Sequence, residues 1–212
     1  MTVTQTRTGR KLRLGNSKRL FAQERETVDE AYAGDVVGIV GNHQLQIGDT
    51  LSEDGSIVFS ELPRFAPETF AYLHNDSTAN AKRFREGLSQ LLKEGVAQSY
   101  EMPDALVRIP LLGAVGVLQF DVLQYRLQAE YNAPSRVESA PWSVARWVRA
   151  KGSESFVTPK PPPMKIPSGG TLVRDPHGAW VVLLSNAWSA RYFEDNNPDL
   201  EVVATPPMLA GS

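Results

Sequence analysis

Short β-type runs separated by turn residues dominate the first third of the chain. Between residue 11 and about residue 62, the segments KLRL, DVVGIV, QLQIGDTL and SIVF are broken by Gly and by Asp-Gly. This pattern predicts a small antiparallel sheet or barrel without helices. The Asp54-Gly55 pair predicts a type I′ hairpin turn, because Gly accepts the positive φ that this turn requires.

A different pattern begins after Pro63 and Pro67, which interrupt the ladder and mark an expected domain boundary. Strand and helix signals then alternate between residues 69 and 140 in the order β-α-β-β-α-β. This order is typical of the split βαβ arrangement of ferredoxin-like folds.

Two amphipathic helices are predicted within this unit. The first has Ser77 as its N-cap and Gly95 at its end, and its apolar face is formed by Phe84, Leu88, Leu91 and Leu92. The second spans residues 119–131 and ends before Pro134. Its inward side chains are predicted to be Phe120, Leu123 and Leu127, and its solvent-facing ones Gln124, Arg126, Gln128 and Glu130.

The last third of the chain begins with a segment that lacks periodicity. Prolines at 161–163 and 167, followed by two glycines, predict a stiff extended connection over residues 152–170. Strands at 171–174, 179–184 and 200–205 and a helix at 186–194 follow. The predicted fold class is α+β, with a barrel-like part at 1–62, an α+β domain at 63–205 that adds a C-terminal β-β-α-β segment, and a frayed tail at 206–212.

Composition excludes several kinds of function. The formal net charge of −2 disfavours a general polyanion binder, since phosphate neutralisation requires a surplus of Lys and Arg. The absence of cysteine excludes disulfides, thiolate metal sites and cysteine nucleophiles. No apolar stretch approaches the roughly 20 residues that span a bilayer, which predicts a cytoplasmic protein without a membrane partner.

Motifs for phosphate binding are also lacking. The chain contains no GxxxxGK[ST] string, which P-loop enzymes use to wrap phosphates and hold magnesium. In GNHQLQIGDT, the glycines Gly41 and Gly48 are interpreted as turn residues. In GAVGV, at residues 113–117, the glycines are interpreted as a packing device that lets a helix start close to the sheet.

Other catalytic arrangements have little support. Ser185 and Ser189 lack a GxSxG context or a nearby base, and the histidines are scattered at positions 43, 74 and 177. Asp29, Glu30 and Asp35 are interpreted as a solvated acidic turn. Four tryptophans lie in apolar runs, so burial is favoured over base stacking for all of them: Trp142, Trp147, Trp180 and Trp188.

Several strings nevertheless resemble a known family. VDEAYAGDVVGIVGNHQLQIGDTLSE, at residues 28–53, resembles the second-domain barrel of translational GTPases. FAPETF, LSQLLKEGVAQSY, GAVGVLQFDVLQYRLQAEYN and ARWV follow in the order and spacing of bacterial peptide chain release factor 3. The resemblance covers residues from about 10 to 205, and GAVGVLQFDV is its most specific string. Residues 152–170 depart from the family, whose members tend to have a helix there.

The resemblance implies a role in translation termination. Such factors bind GTP through an N-terminal G domain, act on the ribosome and promote the departure of class I release factors. None of the family's guanine, phosphate or magnesium residues has a match here, so we expect no catalysis, no metal site and no cofactor in this chain, with GTP and magnesium held by a G domain. The family barrel begins with strands upstream of the residues present here, so we also expect an incomplete barrel.

The expected partners are the ribosome, class I release factors indirectly, and the G domain or further barrel strands. The candidates for contact with ribosomal RNA are three residues of the basic N-terminal cluster: Arg10, Lys11 and Arg13. Two other interpretations remain open at this point: a stand-alone RNA- or ribosome-binding module, and a small-molecule enzyme with a tryptophan-lined pocket.

Overall fold

The chain forms two compact units. A computed structural model describes residues 1–14, 18–21, 24–27, 30, 32–39, 45, 47–59, 64–103 and 109–207. One unit comprises Met1–Leu62 with Leu209–Ser212, and the other comprises Pro63–Met208. The α+β fold class predicted from the sequence is confirmed by the elements that follow.

The first unit contains short antiparallel strands in two sheets. One sheet has the order β2-β1-β6 and the other the order β4-β3-β5. The strands are β1 (Thr2–Gln5), β2 (Arg10–Arg13), β3 (Lys18–Phe21), β4 (Glu24–Thr27), β5 (Val37–Gly38) and β6 (Leu51–Ser52). Strand β1 was missed by the sequence reasoning, although Val3 and Gln5 alternate with polar neighbours and are buried.

The predicted type I′ hairpin at Asp54-Gly55 is wrong. Neither residue has a positive φ, and residues 57–59 do not continue as a strand. Asp54 instead organises the turn itself: its carbonyl accepts from the backbone N–H of Ile57 at 3.1 Å, and its Oδ1 accepts from the backbone N–H of Ser56 at 3.0 Å. A side chain that satisfies its own turn removes the need for the left-handed conformation.

The second unit begins with the predicted ferredoxin-like arrangement, which is confirmed. Its antiparallel sheet has the order β10-β7-β9-β8. The elements are β7 (Thr69–Asn75), α1 (Ala81–Lys93), β8 (Gln98–Tyr100), β9 (Leu111–Ala114), α2 (Leu118–Tyr131) and β10 (Ser135–Ser139). The helices pack on the sheet through the predicted side chains: Phe84, Leu88, Leu91, Phe120, Leu123 and Leu127.

Two details of the helices differ from the prediction. Ser77 makes no side-chain cap, and a 3-10 turn at Thr78–Asn80 leads into α1. Gln124 and Arg126 are half-buried rather than solvated. Gln124 donates to the carbonyl of Ser135 at 2.8 Å, and Arg126 pairs with Glu94 at the end of α1. Tertiary partners therefore hold polar side chains that periodicity assigns to solvent.

A second antiparallel sheet follows, in the order β12-β13-β11-β14. It is built from β11 (Val144–Ala150), β12 (Thr171–Arg174), β13 (Trp180–Leu184) and β14 (Leu200–Val203), with α3 (Ala187–Asp195) between the last two. Residues 152–170 contain no helix, as predicted. Of the tail, residues 208–212 lie outside the described residues.

Among the described helices, none combines the length and the apolar character that a membrane crossing requires.

Candidate functional site

The three basic residues proposed for RNA contact lie together on β2 but not on one face. The register pairs Gln5 with Arg10 and Thr4 with Lys11. Because side chains alternate along a strand, Lys11 and Arg13 share one face while Arg10 lies on the other, beside the buried Gln5. All three are exposed. Their role in RNA contact stays a prediction, now divided between two faces of β2.

The IGDT turn has a structural role that the sequence reasoning did not assign. Gly48 has a φ of +94°, as a turn glycine allows. The next residue, Asp49, accepts from Gln5 Nε2 at 2.6 Å and from Arg7 Nη2 at 3.1 Å, and its side chain is only 4% exposed. The carboxylate raises the pKa of the Arg7 guanidinium through these hydrogen bonds. The turn thereby fixes the end of β1. The other glycine interpreted as a turn residue, Gly41, lies outside the described residues.

The GAVGV segment does not form a phosphate cradle. The side-chain oxygen of Gln119 accepts from the backbone N–H groups of Val115 at 2.8 Å and of Gly116 at 3.1 Å. A Cβ added to Gly113 would lie 2.8 Å from Tyr100 and 3.0 Å from Phe70, which confirms close packing there. No atom lies within 4 Å of a Cβ built on Gly116, so the packing interpretation is wrong for that glycine.

An exposed apolar surface surrounds the start of α2. Leu118, Val122 and Tyr125 are spaced at i, i+4 and i+7 and lie opposite the buried face of the helix. Val115 and Val117 extend this surface into the preceding loop. The sequence reasoning missed it, although a helix that is apolar on two faces is a visible signal for a surface of this kind.

Three of the four tryptophans are buried, as predicted, and each indole N–H has a partner. Trp142 donates to the Gly169 carbonyl at 2.8 Å, Trp147 to Asp175 at 2.9 Å and Trp180 to the Thr158 carbonyl at 3.1 Å. The prediction is wrong for Trp188, which is 72% exposed on α3. Its ring stacks on that of Tyr192, one turn further along the helix, with centroids 5.6 Å apart and planes inclined at 22°.

The hydroxyl and carboxylate candidates have structural partners. The hydroxyls of Ser185 and Ser189 lie 3.2 Å apart, and Asn186 caps α3 by accepting from the Ser189 N–H at 2.9 Å. In the acidic turn, Tyr32 donates to Glu30 and to Asp35. These contacts give the hydroxyl and carboxylate groups structural roles in a helix cap and a turn.

The remaining titratable candidates do not assemble into a metal centre. His74 Nε2 lies 2.9 Å from Glu138 Oε2. Asp29 and His43 lie outside the described residues. Within the parts of the chain that the structure describes, no three His, Asp or Glu side chains are placed to hold a metal ion.

Two tyrosines, the buried Tyr100 and the partly buried Tyr72, have raised pKa values. Burial, followed by the charge of Asp175, raises the pKa of Tyr100 far above its usual range. Burial, and then Glu138, raises that of Tyr72. Tyr100 donates to Gln98 at 3.0 Å. Groups held in the neutral form in this way contribute to packing rather than to proton transfer at neutral pH.

Sequence comparisons match both units to translation factors. The family described as "Class II release factor RF3, C-terminal domain" matches residues 59–194, and "Elongation factor G domain 2" matches residues 1–54. Peptide chain release factor 3 of Gloeobacter violaceus is 40% identical over 208 residues, which are 98% of this chain and 38% of that protein. The protein of the same name from Synechocystis sp. is 39% identical and matches 99% of this chain.

The fold has a solved counterpart. A crystal structure of a protein from Thermus thermophilus superimposes with a TM-score of 0.53 and 22% identity, over 73% of this chain and 25% of that one. At this identity the likeness shows the fold alone. The chain spans 38% of the length of its Gloeobacter relative.

Proposed function

Because the chain belongs to the release factor 3 family, we propose that it acts in translation termination as a C-terminal part of such a factor. The observation that carries this proposal is the identity of 40% along 98% of the chain. That identity extends across both compact units rather than over one shared motif. An unrelated protein that had only reused one of the two folds would match over one unit.

The proposed activity is non-catalytic for this chain. Joined to a G domain, it promotes the departure of class I release factors from the ribosome in a GTP-dependent way, with GTP and magnesium held by the G domain. Two observations support the assignment of nucleotide binding to the G domain rather than to this chain. The sequence has no GxxxxGK[ST] string, and Gln119 accepts from the loop N–H groups of Val115 and Gly116, which a phosphate would otherwise use.

The alternative is a stand-alone RNA- or ribosome-binding module. Its electrostatic basis is weak, because the net charge is −2 and many arginines of the second unit are already paired. Arg126, Arg146 and Arg149 contact Glu130, Glu194 and Glu201 respectively. Paired guanidinium groups contribute little to phosphate neutralisation.

Nucleotide titration and sedimentation separate these proposals. We expect the chain to leave the signal of a fluorescent GTP analogue unchanged, and to sediment weakly with ribosomes in a salt-sensitive manner. Micromolar nucleotide binding with turnover would overturn the non-catalytic assignment. Tight binding to free RNA, with no preference for ribosomes, would support the stand-alone module instead.

A chimera tests the family role directly. The segment of the Gloeobacter relative that precedes the matched region is fused to this chain, and ribosome-stimulated GTP hydrolysis and release of a labelled class I factor are measured. We expect the chimera to release the factor and the relative's N-terminal segment alone to fail. The full-length relative is the positive control. A chimera that hydrolyses GTP without releasing the factor would contradict the proposed role.

A further inference from the structure

A groove beside helix α3 combines two exposed aromatic rings with free positive charge. It has a volume of about 430 Å³ and lies between Trp188 and Tyr192 on one side and the segment 165–168 on the other. This size falls within the range of about 300–1,000 Å³ that is usual for small-ligand sites. The opposite face of α3 is buried through Ala190 and Phe193, so the aromatic face is the one left open.

The exposure of the two aromatic rings is the first reason to expect a ligand in this groove. Trp188 is 72% exposed and Tyr192 47%, whereas the other three tryptophans of the chain are buried. Stacking on each other at 5.6 Å orders the two rings without covering them. An exposed large apolar surface is the informative departure from ordinary burial.

The wall of the groove is held in place from behind. Asn197, itself buried, accepts from the Lys165 backbone N–H at 2.7 Å and donates to the Lys165 carbonyl at 3.0 Å. The same amide also donates to the Phe193 carbonyl of α3 at 2.7 Å. One side chain therefore fixes the segment to the helix, and a preformed groove loses less entropy when it binds a ligand.

The groove is lined by one charged side chain, that of Lys165. Arg191 lies three residues after Trp188 on the exposed side of α3. In the described part of the chain, neither side chain has an ion pair or hydrogen bond. Glu194 of the same helix is neutralised by Arg146 at 2.8 Å. Arg191 and Asp195 are both exposed on α3, and neither lines the groove.

We propose that this groove binds single-stranded RNA by stacking one unpaired base on the Trp188–Tyr192 pair, with Lys165 contacting a flanking phosphate. Aromatic faces stack on any base, and flanking cations supply the backbone attraction. A protein partner would also use Trp and Tyr as anchors. Lys165, the charged side chain among the residues that line the groove, favours the polyanion.

This inference deepens the proposed function, since a ribosomal factor meets unpaired RNA bases, and it rests on that function for its biological setting. The RNA binding itself can be tested separately from that function, because the full chain is expected to bind a short single-stranded RNA in the absence of ribosomes. The expected affinity is weak, with a Kd on the order of 10⁻⁴ M at physiological salt.

The test measures fluorescence anisotropy of a labelled 12-nucleotide single-stranded RNA with the full chain. Loss of one stacked base through Trp188→Ala is expected to weaken binding by about 5- to 100-fold. Trp188→Phe retains a ring and is expected to restore most of the affinity. Lys165→Ala is expected to reduce the slope of log K against log salt by about 0.7, as one phosphate contact is lost.

A control variant and a duplex RNA test whether binding depends on the aromatic pair and on an unpaired base. Tyr125→Ala removes an aromatic ring that is 74% exposed on α2 and does not line the groove, so its binding is expected to equal that of the native chain. A duplex of the same sequence is expected to bind more weakly, because its bases are already stacked. Circular dichroism of each variant checks that the fold is retained.

Different contrary results would count against the RNA proposal or against the proposed function. Absent RNA binding, equal binding by the Trp188→Ala and Tyr125→Ala variants, or equal binding of duplex and single strand would overturn the proposal. If the native chain sediments with ribosomes and Trp188→Ala does not, while free RNA is not bound, the groove takes a protein and the RNA proposal fails. Loss of ribosome sedimentation by the native chain, with RNA binding retained, would instead count against the proposed function.

Discussion

The indole Nε1–H of Trp147 on β11 donates a hydrogen bond of 2.9 Å to Oδ2 of Asp175 in the turn after β12, and both residues are buried. The other carboxylate oxygen, Oδ1, accepts from the backbone N–H groups of His177 and Ala179, each at 2.9 Å. One side chain thus organises the turn between β12 and β13 and joins it to β11. A buried carboxylate is tolerated only with such partners.

Replacing Trp147 with Phe is expected to lower the free energy of unfolding of the second unit. The substitution leaves Asp175 Oδ2 without its indole donor, which costs about 1–3 kcal/mol, and the smaller ring also leaves a void at a fully buried position, which adds to the loss. Urea denaturation followed by circular dichroism measures the change. The control is Asp195→Ala on the exposed face of α3, expected to stay within about 0.5 kcal/mol. Equal effects of the two substitutions would contradict the role of the hydrogen bond.

Gly87 is expected to resist substitution because α1 and α2 approach each other there. A Cβ at this position would lie 2.6 Å from Cγ of Tyr131 and 3.0 Å from Cδ2 of Leu127. Gly87→Ala gains about 1 kcal/mol of helix propensity, whereas overpacking costs about 1–3 kcal/mol. We expect a net loss of stability in urea denaturation. Gly116→Ala, where no atom lies within 4 Å, is the control and should be nearly neutral. A stabilised Gly87→Ala variant would show that the helices separate easily.

Acid is expected to weaken the contact between α1 and α2. Hydrogen bonds from Arg126 lower the pKa of Glu94 and that of Glu130 below the usual 4.5. A lowered folded-state pKa adds stability that is fully present above 4.5 and is lost as pH falls through the folded-state values. Denaturation midpoints should therefore fall more steeply below pH 4.5 for the native chain than for Arg126→Met.

Lys82→Met is the control for this pH profile, because Lys82 and Glu86 form an exposed pair at 3.9 Å that contributes little. Its profile should follow that of the native chain. A native profile that coincides with that of Arg126→Met across the acid range would refute the contribution of the Arg126 contacts.

Loss of the Asp49 carboxylate is expected to free the end of β1. Asp49 is held by Gln5 and Arg7, and the carbonyl of the next residue, Thr50, accepts from the Thr6 N–H at 3.1 Å. Hydrogen exchange measured by mass spectrometry should show faster exchange of peptides covering β1 in Asp49→Ala. Glu53→Ala, an exposed change beyond β6, should leave them unchanged. Unaltered exchange in Asp49→Ala would contradict the structural role assigned to the IGDT turn.

Amide exchange should also separate the two units in the native chain. Among residues 1–14, 30, 32–39, 45 and 47–59, whose burial the structure describes, Val3 is the one buried apolar side chain, while Val36, Ile47, Val58 and Phe59 are exposed. Few buried contacts make local opening easy. We expect residues 1–62 to be less protected than residues 65–205. Equal, slow exchange throughout the chain would contradict this expectation.

Much of the second unit could be predicted because its signals are local. The spacing of Phe120, Leu123 and Leu127 marks the inner face of α2, and the predicted strand at 171–174 agrees with β12. The strand alternation that separates Arg10 from Lys11 and Arg13 is equally local, but the predicted run KLRL began at Lys11 and left Arg10 outside the strand. The turn type at Asp54 was predicted wrongly because the Asp54 side chain accepts a hydrogen bond within the turn, and the turn forms without the positive φ expected of Gly55.

The sequence by itself determined the family, the element order of residues 69–140 and the absence of a P-loop string, since each can be read from short strings and from their order along the chain. Only the tertiary structure decided which tryptophan stays exposed. Trp180 is covered by Arg174, whose guanidinium lies 3.9 Å from the ring centre, and is bonded to Thr158. Trp188, by contrast, stays 72% exposed on α3. Burial depends on what packs against a residue from elsewhere in the chain, and no local pattern contains that information.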